Sequence, residues 1–132
     1  MISGRALKIR ENVPLAPLTT FKIGGKADYF VEVRNEKQIK GVIEFAKHKK
    51  IPIFILGGGS NILINDKGFR GLVIKNSLKF FEAKIVKNKM RVKVGSGEDW
   101  DKFVERAVRA DWGGVENLSG VPGTIGAAPV QN

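Results

Sequence analysis

Apolar residues recur along this chain in two rhythms, one of period two and one near 3.6, and the changes of rhythm mark out its elements. Residues 27–33 read as a strand. Asn35 is placed to cap a helix, with Gln38 three residues on as in a capping box. Ile39, Val42, Ile43 and Ala46 form an apolar stripe at helical spacing, and the basic run Lys47–Lys50 suits that helix's negative end. Pro52 is expected to stop it. The unbroken apolar run from Pro52 to Leu56 predicts a central strand buried on both faces. Residues 71–75 form a further strand. Residues 80–86 and 90–94 predict a hairpin across Lys87-Asn88-Lys89, in which Met90, Val92 and Val94 alternate with charged residues and leave one face wet. Residues 98–111 predict a second amphipathic helix, with Trp100, Phe103, Val104, Ala107 and Val108 on one face. Trp100 is assigned to the core, and Trp112-Gly113-Gly114 ends the helix. The change from a strand–helix–strand unit to a meander near Asn76 predicts an α+β chain of two α/β lobes, residues 1–75 and 76–132.

Two glycine-rich stretches interrupt this pattern. Gly57-Gly58-Gly59-Ser60-Asn61 follows directly on the apolar strand. Three adjacent glycines leave the backbone free to adopt positive φ and bare of side chains. Amides in a bent loop of that kind point into one concavity and cradle phosphate oxygens, and Ser60 and Asn61 add short polar side chains. The loop matches neither the G-x-x-x-x-G-K-[ST] nor the G-x-G-x-x-G phosphate fingerprint. A plain strand-ending turn would carry the same residues. The second stretch runs from Asn117 to Ala128. Pro122-Gly123 predicts a turn, and Thr124 is placed to cap a short helix of small residues. Gly126, Ala127 and Ala128 would let a ligand approach closely, and the helix start would offer free N–H groups to a phosphate or an electron-rich ring. Together the two stretches suggest two walls of one nucleotide site, against the alternative of a tight loop and a close helix crossing.

Leu18-Thr-Thr-Phe-Lys-Ile-Gly-Gly25, Leu56-Gly-Gly-Gly-Ser-Asn-Ile-Leu63 and Ser119-Gly-Val-Pro-Gly-Thr-Ile-Gly-Ala-Ala-Pro-Val-Gln-Asn132 resemble the UDP-N-acetylenolpyruvoylglucosamine reductase family. These are flavoenzymes of bacterial cell-wall precursor synthesis. The resemblance extends over nearly the whole chain. The glycine–serine–asparagine loop is shared more widely with flavoproteins of the vanillyl-alcohol-oxidase, or PCMH, type, and the final run is much more specific to the reductases. The resemblance implies a PCMH-type FAD-binding domain with FAD clamped between the lobes and NADPH as co-substrate. It implies reduction of the enol ether of a UDP-sugar, UDP-N-acetylglucosamine enolpyruvate, to UDP-N-acetylmuramate. The FAD pyrophosphate would lie on Gly57, Gly58, Gly59, Ser60 and Asn61. Val121, Pro122, Gly123, Ala127 and Val130 would pack along the flavin.

Members of that family continue well past the point matched by Gln131-Asn132. Their serine proton donor, the arginine and glutamate that polarise the substrate, and most UDP-binding residues lie further on. The resemblance therefore implies the N-terminal, FAD-binding part of such an enzyme, incomplete at its C-terminus, with no catalytic residue in this chain. Its partners would be the C-terminal portion of the same protein and the UDP-sugar. An unpaired edge on the meander of residues 80–94 would also invite self-association, and Thr124–Asn132 would be mobile without the missing portion.

Composition narrows the alternatives. The 42% apolar share suits a globular core. Absence of cysteine excludes a disulfide frame or a thiolate metal site and makes a reducing cytosol the default. The single histidine, His48, sits among Lys47, Lys49 and Lys50, where a solvated helix end is expected, and no metal site is assigned. Residues 1–12 carry no apolar leader segment, and no apolar run approaches the roughly 20 residues that span a bilayer. A cytoplasmic protein with no membrane partner is expected. The net charge of +10, from 23 basic and 13 acidic side chains, would suit a polyanion. The lysines are nevertheless spread among core positions without interleaved aromatics, so no nucleic-acid partner is expected. A non-catalytic flavin- or nucleotide-binding module and a basic nucleic-acid-binding domain stand as the alternative functions.

Overall fold

The computed structural model describes residues 7–131. Residues 1–6 and Asn132, which include the outer ends of the two expected lobes and the last position of the final glycine-rich segment, lie outside the described residues. The first half is a four-stranded sheet in the order β1-β2-β4-β3, built from β1 (Arg10–Pro14), β2 (Lys26–Val33), β3 (Ile53–Leu56) and β4 (Phe69–Asn76). β1 runs antiparallel to β2, and β2, β4 and β3 are mutually parallel. Helix α1 (Glu36–Lys49) packs on one face through Val42 and Ala46, against Val31, Val33, Leu72 and Ile74. Leu15, Phe30, Leu56, Ile64 and Val73 bury a second cluster that includes the other set of sheet side chains.

α1 forms where the apolar spacing predicts it. Asn35 caps it by accepting the Gln38 N–H at 3.0 Å. The reciprocal bond is displaced by one residue, because Gln38 Oε1 accepts from the Arg34 N–H. The helix ends before Pro52 is reached: Lys50 adopts the left-handed conformation and its N–H bonds back to the Ala46 and Lys47 carbonyls. His48 is exposed at this end.

The central strand is not the one the apolar run predicts. β3 lies at the sheet edge, with Ile53 and Ile55 exposed at 38% and 58%. β4 is the strand buried on both faces, from Gly71 to Ile74, because it inserts between β2 and β3. A five-residue apolar run carries no information about which neighbour pairs with it, so strand order was beyond its reach.

The second half begins with the hairpin of β5 (Phe81–Val86) and β6 (Lys89–Val94). Its turn is the two residues Lys87 and Asn88, both at positive φ, rather than three. Among the described residues no further strand pairs with this hairpin. Helix α2 (Trp100–Arg109) is capped by Asp99, whose carboxylate accepts the Lys102 N–H. Phe81 stacks on Trp112, packs near Phe103 and carries the Arg106 guanidinium over its ring at 3.5 Å. Trp100 is half-buried, and its indole N–H donates to the Leu118 carbonyl at 2.8 Å, so it anchors the segment after α2 as well as packing on Phe103. A one-turn helix, α3 (Ala128–Gln131), closes the described chain. Among the described residues no helix is long and apolar enough to cross a membrane.

Candidate functional site

The parallel pairing of β3 with β4, in register Leu56 with Lys75, brings the ends of both strands to one side of the sheet. Gly57 and Asn76 are the next residues at those ends. A cleft of about 390 Å³ opens there. One wall is Phe54–Ile62, including all five residues of the first glycine loop. Thr124, Gly126, Ala127, Val130 and Gln131 form the other. Open α/β sheets place ligands at this position, beyond the carboxyl ends of their strands.

The three glycines do different work. A Cβ at Gly59, which has φ +73°, would lie 2.1 Å from the Leu18 carbonyl oxygen, and the Gly59 carbonyl accepts the Thr20 N–H. Gly59 is therefore required by the Leu18–Gly25 segment packed against the loop, where buried Thr19 bonds to the Ala16 carbonyl. A Cβ at Gly57 would meet Thr124 Oγ1 at 3.1 Å and Ala127 Cβ at 3.7 Å. A Cβ at Gly58 would meet only Gly123 Cα and Thr124 Cγ2, at the ordinary contact distances of 3.7 and 3.9 Å. Among the described residues no atom demands the bareness of Gly58.

The two walls also differ in their free hydrogen-bonding capacity. Among the described residues, the N–H groups of Gly58, Gly59 and Ser60 donate to no protein acceptor. In the second wall the backbone donors of residues 125–128 are already used. Ile125 N–H bonds to the Glu98 carbonyl, Gly126 N–H to that of Ser96, and both Ala127 and Ala128 N–H to that of Thr124. The expectation of free amides at a helix start is therefore corrected. The Glu98, Ser96 and Thr124 carbonyls use them, and the helix begins later, at Ala128. Gly126 is small for a protein contact as well, since a Cβ there would lie 2.8 Å from Ser96 Cβ. The first wall thus carries backbone amides that the protein leaves unused, and the second brings the small side chain of Ala127 and that of Val130 beside the polar side chains of Thr124 and Gln131.

Of the residues anticipated from sequence, Gly57, Gly58, Gly59, Ser60, Asn61, Ala127 and Val130 come together in the cleft. Gly123 stands beside it, its Cβ position 3.4 Å from Ser60 Oγ. Val121 and Pro122 lie outside the lining. Ile55, Asn76 and Gln131 line the cleft without having been anticipated. Asn76 was detectable in principle as the polar residue ending a buried strand. The lining contains no ionisable side chain. The carboxylate nearest in sequence to the cleft's Asn76, within the same sheet, is Glu32. It is held below its ordinary pKa chiefly by the Ser77 hydroxyl, which donates at 2.7 Å, with Arg34 assisting against partial desolvation.

A family model described as an FAD binding domain matches residues 27–132, which takes in both walls of the cleft. This chain belongs to the FAD binding domain family. Two curated relatives are similar along most of the chain. The UDP-N-acetylenolpyruvoylglucosamine reductase of Cutibacterium acnes is 39% identical over 123 residues, covering 92% of this chain and 33% of the relative. That of Thermobifida fusca is 40% identical over 122 residues, covering 92% and 34%. The chain thus spans about a third of the length of these curated relatives. The crystal structure of the UDP-N-acetylenolpyruvylglucosamine reductase of Thermus caldophilus aligns with a TM-score of 0.63 at 26% identity, over 92% of this chain and 40% of that one. The FAD binding domain fold here is a mixed α and β architecture.

Proposed function

We propose that this chain is the FAD-binding portion of a UDP-N-acetylenolpyruvoylglucosamine reductase. Such an enzyme uses NADPH to reduce UDP-N-acetylglucosamine enolpyruvate to UDP-N-acetylmuramate, in the cytoplasm. It serves peptidoglycan synthesis and through it cell shape and division. The reading assigns the FAD-binding unit two lobes, 1–75 and 76–132, that clamp the cofactor between them.

The observation that carries it is the asymmetry of the cleft. Gly58, Gly59 and Ser60, whose amides donate to no acceptor among the described residues, line the same cleft as Ala127 and Val130. A dinucleotide with an anionic pyrophosphate and a flat apolar ring system matches that arrangement. In this assignment the backbone of Gly57, Gly58 and Gly59, with the Ser60 and Asn61 side chains, holds the pyrophosphate through preorganised N–H dipoles. Gly123, Ala127 and Val130 pack along the flavin. Val121 and Pro122, next to Gly123 in the chain, complete the proposed flavin contacts. Bound FAD supplies hydride transfer between the nicotinamide and the substrate. The residues of this chain orient it and exclude water from one side. The donors of the acid–base step are sought outside these residues, because the cleft lining holds none.

Titration of the chain with FAD, followed by quenching of flavin fluorescence, tests the reading. Saturable one-to-one binding that outcompetes riboflavin through the pyrophosphate is expected. Equal affinity for riboflavin, or no binding, would overturn it.

A further inference from the structure

The two walls of the cleft belong to different halves of the chain, and their direct contacts are only van der Waals. Gly57 approaches Thr124 and Ala127, and Gly58 approaches Gly123. Among the described residues no hydrogen bond joins 57–61 to 119–127. We propose that Asn76 is a positioning residue for this cleft: its side chain ties the end of β4 to Ser96 and thereby sets the spacing of the second wall from the first.

Asn76 is half-buried at the cleft, and both ends of its amide are engaged. Its Oδ1 accepts the Leu78 N–H at 3.2 Å, which fixes which way the amide points. Its Nδ2 then donates to Ser96 Oγ at 2.7 Å, across twenty residues of sequence. Ser96 holds the second wall directly. Its carbonyl accepts the Gly126 N–H at 2.9 Å, and its Cβ fills the space a Gly126 side chain would need. Gly126 precedes Ala127, whose Cβ faces Gly57. The path from Asn76 through Ser96 and Gly126 to Ala127 therefore returns to the residue beside Asn76 at the adjoining strand end. It closes a ring around the floor of the cleft. Asn76 is the side chain in that ring that donates from the first sheet to the second half.

One neutral hydrogen bond shifts an equilibrium between closed and parted walls by about fivefold. Asn76→Ala and Ser96→Ala each remove it from one side, and Ser96→Ala deletes a single hydroxyl, so the tie remains testable if Asn76→Ala also loses its Leu78 contact and unfolds. The first measurement needs no ligand. Amide hydrogen exchange at Gly126 and Ala127 in the full chain is expected to rise about fivefold in either variant, with β2 and β4 unchanged. The double variant should go no further than the worse single one. Unchanged exchange at Gly126 in Ser96→Ala would overturn the tie, as would single effects that simply add. The second measurement is FAD affinity, which rests on the function proposed above. A similar loss in both single variants is expected. Loss in Asn76→Ala with none in Ser96→Ala would mean that Asn76 touches the ligand itself, and would overturn the positioning role. Failure of the parent chain to bind FAD would sink the flavin reading alone, since the exchange measurement decides the tie without it.

Discussion

Gly59 faces Leu18 so closely that the Cβ it lacks would lie 2.1 Å from the Leu18 carbonyl oxygen. Its φ of +73° independently favours glycine. Gly59→Ala is therefore expected to destabilise the chain by about 3 kcal/mol, from left-handed strain together with forced displacement of the Leu18–Thr20 backbone. Urea unfolding would measure it. A change below about 1 kcal/mol would mean that the loop relaxes freely.

Gly58 makes the opposite prediction. A Cβ there meets only ordinary contacts. Gly58→Ala should leave the unfolding midpoint near that of the parent, and Gly58→Val should cost little more. FAD affinity should be lost in Gly58→Val, because branched methyl groups would occupy the approach to the free amides. Flavin titration beside urea unfolding separates the two effects. Retained FAD affinity in a folded Gly58→Val would remove the pyrophosphate from this loop.

Lys50 adopts φ +53° and ψ +42° at the end of α1 while keeping its bonds to the Ala46 and Lys47 carbonyls. A non-glycine residue there carries a steric cost of about 1–2 kcal/mol. Lys50→Gly should recover about 1 kcal/mol of stability, after allowing for glycine's greater freedom in the unfolded chain. Thermal unfolding would show a raised midpoint, and a lowered one would contradict the strain.

Glu32 sets a pH dependence. Its folded pKa lies below the ordinary value, first because the Ser77 hydroxyl donates to it. A depressed carboxylate pKa contributes stability that is present above the unfolded value and is lost as pH falls through the folded one. Ser77→Ala should raise the Glu32 pKa and remove part of the parent's stability at neutral pH, above the unfolded pKa, and the difference from the parent should shrink as pH falls through the folded pKa, where the carboxylate is protonated in both. An NMR titration of the Glu32 side chain would check it. An unmoved pKa would assign the shift to Arg34 instead.

These 132 residues alone should not oxidise NADPH in response to the UDP-sugar. The cleft lining supplies neither an ionisable proton donor nor a cation to stabilise developing negative charge. Absorbance at the NADPH band, with substrate and FAD present, is the measurement. Substrate-dependent loss above buffer would show that the acid lies within this chain.

The sequence by itself determined what is local. The 3.6-residue spacing from Ile39 to Ala46, with Asn35 before it, specifies α1 because side-chain burial and capping are settled within a few turns. Alternation in residues 90–94 specifies one strand of the hairpin, and the adjacent Gly57–Gly59 specify a loop with bare backbone. Tertiary structure alone decided what depends on the opposite partner. β3 became an edge because β4 took the place beside β2, a choice made by long-range hydrogen-bond pairing that a short apolar run does not encode. The same holds for glycine. Gly58, Gly59 and Gly126 look alike in the sequence. Only the atoms facing them separate the one left open to a ligand from those pressed against Leu18 and Ser96. The Asn76 link to Ser96 was hidden for the same reason, since a side-chain amide bonds to whatever folding brings within 3 Å, and separation along the chain carries no record of that.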